Sequence, residues 1–185
     1  EVDDDVNLAA VIQEFEAQPG VIYAEPNYPV YLFGAPYPND PHFDEQWGMA
    51  PYDGEYDFGV SAPGAWALYE KSDKKRDGPV IVAVIDSGVD VNHPDLKNRV
   101  TEYGVQIIGG EISTEREDYS LDLSGHGTHV AGIIAAETNN GIGVAGVAGE
   151  ANVKILPVKT FSLTTGTLFD IAAGIRWAVD NGADV

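Results

Sequence analysis

The sequence contains no cysteine and one methionine, and only ten of its 185 residues are Lys or Arg. Without cysteine there is no disulfide framework, no thiolate metal site and no cysteine nucleophile, although the redox compartment stays open. Set against thirty acidic residues, the few bases leave a net charge of −20, which argues against nucleic acid or an anionic membrane as a partner. The longest purely aliphatic run, Val80–Ile85, is far short of the roughly 20 residues needed to cross a bilayer. Glu1 is neither an initiator Met nor followed by a hydrophobic leader, so the gene product is expected to begin upstream of it. What is present is a globular composition, 44% hydrophobic and 22% charged, of a size for one domain with a short appendage.

The charge is distributed unevenly. Residues 1–70 hold fourteen acids and no Lys or Arg, the first base being Lys71. Leu8, Val11, Ile12 and Phe15 recur at helical spacing, with Asn7 as a cap and Pro19-Gly20 as a stop, and Val21–Ala24 reads as a strand closed by Pro26-Asn27. Residues 34–59 are rich in Gly, Pro, Asp and Tyr and read as a linker followed by an irregular segment. From Pro79 the pattern becomes an α/β alternation. Val80–Ile85 reads as a strand buried on both faces, Val105–Ile108 as a second, residues 127–137 as a small-residue helix, Asn152–Val158 as a strand and Leu168–Asn181 as a helix; Ala183–Val185 opens a further strand.

Two motifs carry chemistry. Ile85-Asp86-Ser87-Gly88 sets an acid at the carboxyl end of a strand, where functional groups gather in open α/β sheets; a turn or cap aspartate is the plainer alternative. Ser124-Gly125-His126-Gly127-Thr128-His129 sets an imidazole between glycines at the mouth of a helix. The electropositive helix end favours neutral His126, whereas a neighbouring Asp86 favours its charged form and would take the Nδ1 proton. His126 and His129, one turn apart, also raise a zinc-hydrolase alternative, but no acid stands between them as in His-Glu-x-x-His, and His129 is expected to be a buried, hydrogen-bonded residue.

These motifs, together with Asn92-His93-Pro94-Asp95-Leu96, the run Asn139–Val147 and Leu156-Pro157-Val158-Lys159, resemble the subtilisin-like serine proteases in order and spacing from about Asn39 onward. The resemblance implies a subtilisin-like three-layer α/β fold with a mostly parallel sheet, truncated in this chain. It implies Asp86 as the residue that orients His126, and His126 as general base and then acid. The family's later Gly-Thr-Ser turn and its oxyanion-stabilising Asn have no counterpart among residues 1–185, and none of the seven serines stands in such a context. The chain is thus expected to be an inactive part of a secreted endopeptidase acting on polypeptide substrates. The alternative from another class is a catalytically dead, subtilase-like binding or inhibitory module.

Further expectations follow from the same resemblance. A structural calcium ion would be held by Asp40, Asp95 and Asn140 with the main-chain carbonyls of Thr138, Ile142 and Val144, all hard oxygen donors. Thr165-Gly166 would pair with extended substrate; a polar loop capping a helix at Thr167 is the plainer reading and is compatible with it. Residues 1–33 resemble the end of an inhibitory propeptide, acting on its own catalytic domain, with residues 34–38 as the processing linker and 39–185 as the first part of the catalytic domain. The cleavage point is expected between Pro29 and Pro38.

Overall fold

A computed structural model describes residues 8–21, 23–24, 37–49, 59–73 and 76–185, and the chain divides into two compact units, Glu1–Phe33 and Gly34–Val185. In the first unit, helix α1 spans Leu8–Glu16, as its apolar spacing requires, and the chain turns at Gly20 with φ +92°. Val21, Tyr23 and Ala24 form no strand, contrary to expectation. β-Propensity alone cannot hold an extended segment without a ladder partner; here the Ala24 N–H instead donates to the Glu16 carboxylate at 3.4 Å. The Asn7 cap, Glu25–Tyr28 and most of the expected linker and cleavage region lie outside the described residues.

In the second unit, short 3-10 turns at Phe43–Glu45 and Trp47–Met49 precede helix α2, Ala62–Glu70, which has proline in its first turn. There follow β1 (Val80–Asp86), β2 (Val105–Ile108), β3 (Glu111–Ser113), α3 (Arg116–Ser120), α4 (His126–Ala135), β4 (Val153–Lys159), β5 (Phe161–Ser162), β6 (Thr165–Gly166) and α5 (Leu168–Asp180). The main sheet runs β1-β4-β2-β3, with β4 parallel to both neighbours and β3 antiparallel to β2. Helices cover both of its faces, giving three layers. On one side Val84, Ile155, Tyr119, Ala131 and Ala135 pack together; on the other, Leu156, Val158, Ile107 and Ala178 do. Trp66 and Trp177 flank clusters of this core, partly buried.

The strand buried throughout its carboxyl half is β4, whereas in β1 only Val84 is fully buried. Val80–Ile85 is packed on both faces as expected, Val82 and Val84 joining one cluster and Ile81, Ala83 and Ile85 the other. Among the described residues β4 has a ladder on each side and β1 on one, and the other edge of β1 meets the last residues, where Ile81 O accepts from the N–H groups of Asp184 (2.8 Å) and Val185 (3.2 Å) and Ala83 N–H donates to Val185 O (2.9 Å). These bonds are the strand onset expected at residues 183–185, although no regular strand is formed there.

Asp170 fastens α5 to the β2–β3 turn. Buried in the first turn of the helix, it accepts from the Thr167 hydroxyl at 2.8 Å and from the N–H groups of Gly110 (2.9 Å) and Gly109 (3.0 Å). The Thr167 hydroxyl and these N–H groups hold its carboxyl below the ordinary 3.8. A depressed carboxylate stabilises the fold above its unfolded value and loses that contribution as pH falls through the folded one. Thermal unfolding across pH should thus show stability falling below about pH 3.8, with Asp170→Asn flattening that limb. An unchanged limb in the variant would remove Asp170 from this role.

Candidate active site

Alternation along β1 decides where its last side chain points. Val82 and Val84 face α4, while Ile81, Ala83 and Ile85 face α5, so Asp86, two residues after Val84, emerges on the α4 side at the carboxyl end of the strand. α4 begins at His126, next to Gly125 in the left-handed region (φ +76°). Its second residue, Gly127, lies so close to β1 that a Cβ there would come within 2.1 Å of Gly88 O and 3.1 Å of Asp86 Cβ. That approach brings His126 Nδ1 to 2.8 Å from Asp86 Oδ1 and 2.9 Å from Oδ2. An ionised carboxylate only accepts, so the imidazole proton sits on Nδ1 and Nε2 is left with a lone pair. The His126 side chain is 70% exposed and that of Asp86 17%, so the reactive edge of the pair faces outward.

The hydrogen bond to Asp86 and the charge of Asp86 raise the His126 pKa above 6.5; the Asp122 charge adds to them and desolvation opposes. A raised imidazole contributes stability below its unfolded value and loses it as pH climbs through the folded value. In an NMR titration His126 should accordingly titrate above 6.5 and Asp86→Asn should bring it down; coincident titrations would mean that the contact is not formed in solution.

His129 is exposed and not buried as expected. α4 buries Gly127, Ala131 and Ala135, a stripe at i, i+4, and His129 lies about 200° around the helix from Gly127. It lines a cleft of about 580 Å³ with Asp90, His93 and Ile133. Among the described residues no three His, Asp or Glu side chains gather as a metal-binding group, so the His126–His129 pair gains no third ligand of that kind. His93 closes a turn, its Nδ1 accepting from Asp95 N–H at 3.2 Å, and His42 is exposed beside Glu45 at 2.9 Å.

The residues expected around calcium do come together. Asp40 and Asp95 are both buried, and neither has a Lys or Arg partner among the described residues. Asp40 accepts from Asn139 N–H at 2.8 Å and Asn140 N–H at 3.4 Å; Asp95 accepts from the Asn140 amide at 2.7 Å and Val144 N–H at 3.0 Å. Among the described residues no donor reaches the main-chain carbonyls of Thr138, Ile142 or Val144. Two buried carboxylates without a cation, wrapped by a loop with three uncommitted carbonyls, fit a hard divalent ion in donor chemistry. Thr165 and Gly166 form β6, whose only partner among the described residues is β5, and Thr167 caps α5 by accepting from Asp170 N–H at 3.1 Å. The helix cap expected at Thr167 is thus formed.

Two residues of the site escaped the sequence reading. Asp122 accepts from the Thr128 hydroxyl at 2.6 Å, Thr128 N–H at 2.9 Å, and Gly125 N–H at 3.0 Å. Burial pushes its pKa up, but the hydrogen bonds of Thr128, Ser87 and Gly125 together hold it below 3.8. Lys159, in register with Asp86 at the end of β4, is buried and donates to Leu121 O at 2.6 Å and Asp118 O at 3.3 Å; burial lowers its pKa, and the charges of Asp122 and Asp118 only partly offset this. An acid just ahead of a helix start is a signal for Asp122; Lys159 stood in the sequence only as the end of the Leu156–Lys159 motif, with no role of its own.

Residues 77–185 match the model of the subtilase family. A thermophilic serine proteinase of Bacillus sp. (strain AK1) is 40% identical over 181 residues, which is 97% of this chain and 39% of that protein. Thermitase of Thermoactinomyces vulgaris is 38% identical over 149 residues, or 80% of this chain and 46% of its own. Among solved structures, a protease from Pseudoalteromonas arctica PAMC 21717 aligns with a TM-score of 0.59 at 35% identity, over 80% of this chain and 45% of that one. The chain thus spans less than half the length of each.

Proposed function

Because the chain belongs to the subtilase family, we propose that it supplies the Asp and His of a subtilisin-like serine endopeptidase whose nucleophilic Ser and oxyanion-stabilising Asn lie outside residues 1–185. One observation carries this reading: Asp86 engages His126 Nδ1 at 2.8 Å while Nε2 remains available. In that role Nε2 takes the proton of the attacking hydroxyl, Asp86 stabilises the resulting imidazolium, and His126 returns the proton to the leaving amine as the acyl-enzyme forms. Ser87 and Ser124 are not the nucleophile, since their hydroxyls are engaged at the start of α4.

The substrates are polypeptides, with Thr165-Gly166 pairing to an extended segment by strand addition. Residues 1–33 act as the inhibitory propeptide, and the protein is secreted. A structural calcium ion would be held by Asp40, Asp95, Asn140 and the carbonyls of Thr138, Ile142 and Val144, where it would neutralise the two buried carboxylates. The longer reading frame, expressed whole, should hydrolyse an unfolded polypeptide and be labelled by a fluorophosphonate on a serine outside residues 1–185; this chain alone should do neither above background. Turnover by this chain that His126→Ala abolishes would overturn the assignment of the nucleophile. A complete frame with neither activity nor label would leave the binding module instead.

A further inference from the structure

A helix leaves its first N–H groups without main-chain acceptors, and Gly125 has no side chain with which to cap α4. Three residues outside the helix fill that role. Ser124 Oγ accepts from His126 N–H at 3.1 Å, Ser87 Oγ from Gly127 N–H at 3.1 Å, and Asp122 Oδ2 from Thr128 N–H at 2.9 Å. Asp122 is the hub. Its Oδ1 takes Gly125 N–H at 3.0 Å and the Ser87 hydroxyl at 2.8 Å, with the Ser124 hydroxyl at 3.2 Å, and its Oδ2 also takes the Thr128 hydroxyl at 2.6 Å. Ser87 belongs to the end of β1 as well, since its N–H donates to Asp86 Oδ1 at 2.7 Å. Asp122 itself makes no hydrogen bond to the imidazole, and Lys159 pins the loop behind it.

The geometry points to Asp122 as a positioning residue: by binding Gly125, Thr128 and Ser87 together, its carboxylate docks the first turn of α4 on the end of β1 and so holds His126 Nδ1 on Asp86. This rests on reading Asp86 and His126 as the proton-handling pair of a protease site. A carboxylate is required because both oxygens face only donors. An amide, in either orientation, would set an NH2 group against N–H or O–H donors and release one side of the clamp. The charged groups around His126 are Asp86 from β1 and Asp122 from the preceding loop, with Lys159 from β4 beneath that loop.

The test is imidazole 15N NMR on the 185-residue chain, which reports tautomer and titration of His126 directly. The unsubstituted chain should hold neutral His126 as the Nδ1–H tautomer. Asp122→Asn should weaken that preference roughly tenfold, the scale of one charge-assisted hydrogen bond, with core resonances kept. Thr128→Val should move it in the same direction by less, and in an Asp86→Asn background Asp122→Asn should shift the tautomer no further, although loss of the Asp122 charge still lowers the His126 titration. A folded Asp122→Asn chain with a lower Tm but an unchanged tautomer would make Asp122 merely structural and overturn the proposal. If Asp122→Asn fails to fold, Thr128→Val decides in the same way. If Asp86→Asn leaves His126 unaltered, the protease pair itself is wrong, whatever Asp122 does.

Discussion

Gly127→Ala should separate His126 from Asp86, because the added methyl presses on the Asp86 side chain (Cβ at 3.1 Å, Oδ1 at 3.2 Å) and on the main chain beside it. The added methyl would meet Gly88 O at 2.1 Å, and both partners in that clash are held rigidly, one in α4 and the other just past β1. Flexible neighbours could yield; a main-chain carbonyl next to a strand cannot, so α4 must lift. Overpacking of this kind costs about 3 kcal/mol. In the longer protein, losing the positioned base should lower kcat by about 10²–10⁴-fold. Gly132→Ala on the same helix is the control, because nothing lies within 4 Å of its added Cβ. There the gain in helix propensity should leave the chain as stable or firmer by roughly 0.5–1 kcal/mol. Equal behaviour of the two variants in thermal melts would mean that α4 does not press on β1 as described.

Asp95→Ala should unfasten the Thr138–Val144 loop. Asp95 is buried beside Leu96 and satisfies the Asn140 amide and Val144 N–H. Alanine leaves both donors without an acceptor, at about 1–3 kcal/mol for each one that water does not reach. On the proposed calcium reading the larger loss is the ion itself, since a ligand present at a hundred times its Kd stabilises by about 2.7 kcal/mol. Tm should rise with calcium and fall on chelation in the unsubstituted chain, and Asp95→Ala should abolish the response. A Tm indifferent to calcium would remove the ion while leaving the loop's dependence on Asp95 intact.

How legible the site was depends on how its residues are connected. Asp86 and His126 each sit in a dense local pattern, a buried strand ending in Asp-Ser-Gly and a glycine-flanked histidine opening a helix, so their meeting could be stated in advance. Val105–Ile108 forms a strand over the whole expected span, and α5 ends one residue before its expected close. The expectations that failed depended on neighbours. Val21–Ala24 has strand composition, but Val21, Tyr23 and Ala24 find no ladder partner among the described residues. His129 was assigned to the interior from the apolar helix that follows it, yet rotation about α4 turns it outward.

By itself the sequence determined the α/β alternation and the charge that argues against polyanionic partners, because each is written in composition or in short-range spacing; Asp86 and His126 were singled out by motifs whose order and spacing resemble the subtilases. Only the tertiary structure decided that Asp122 and Lys159 stand behind the histidine and that β4 is buried more deeply than β1. Those facts arise from chain segments far apart in sequence, such as Asp122 with Ser87 and Lys159 with Leu121, and they exist only once the sheet has brought those segments into hydrogen-bonding reach.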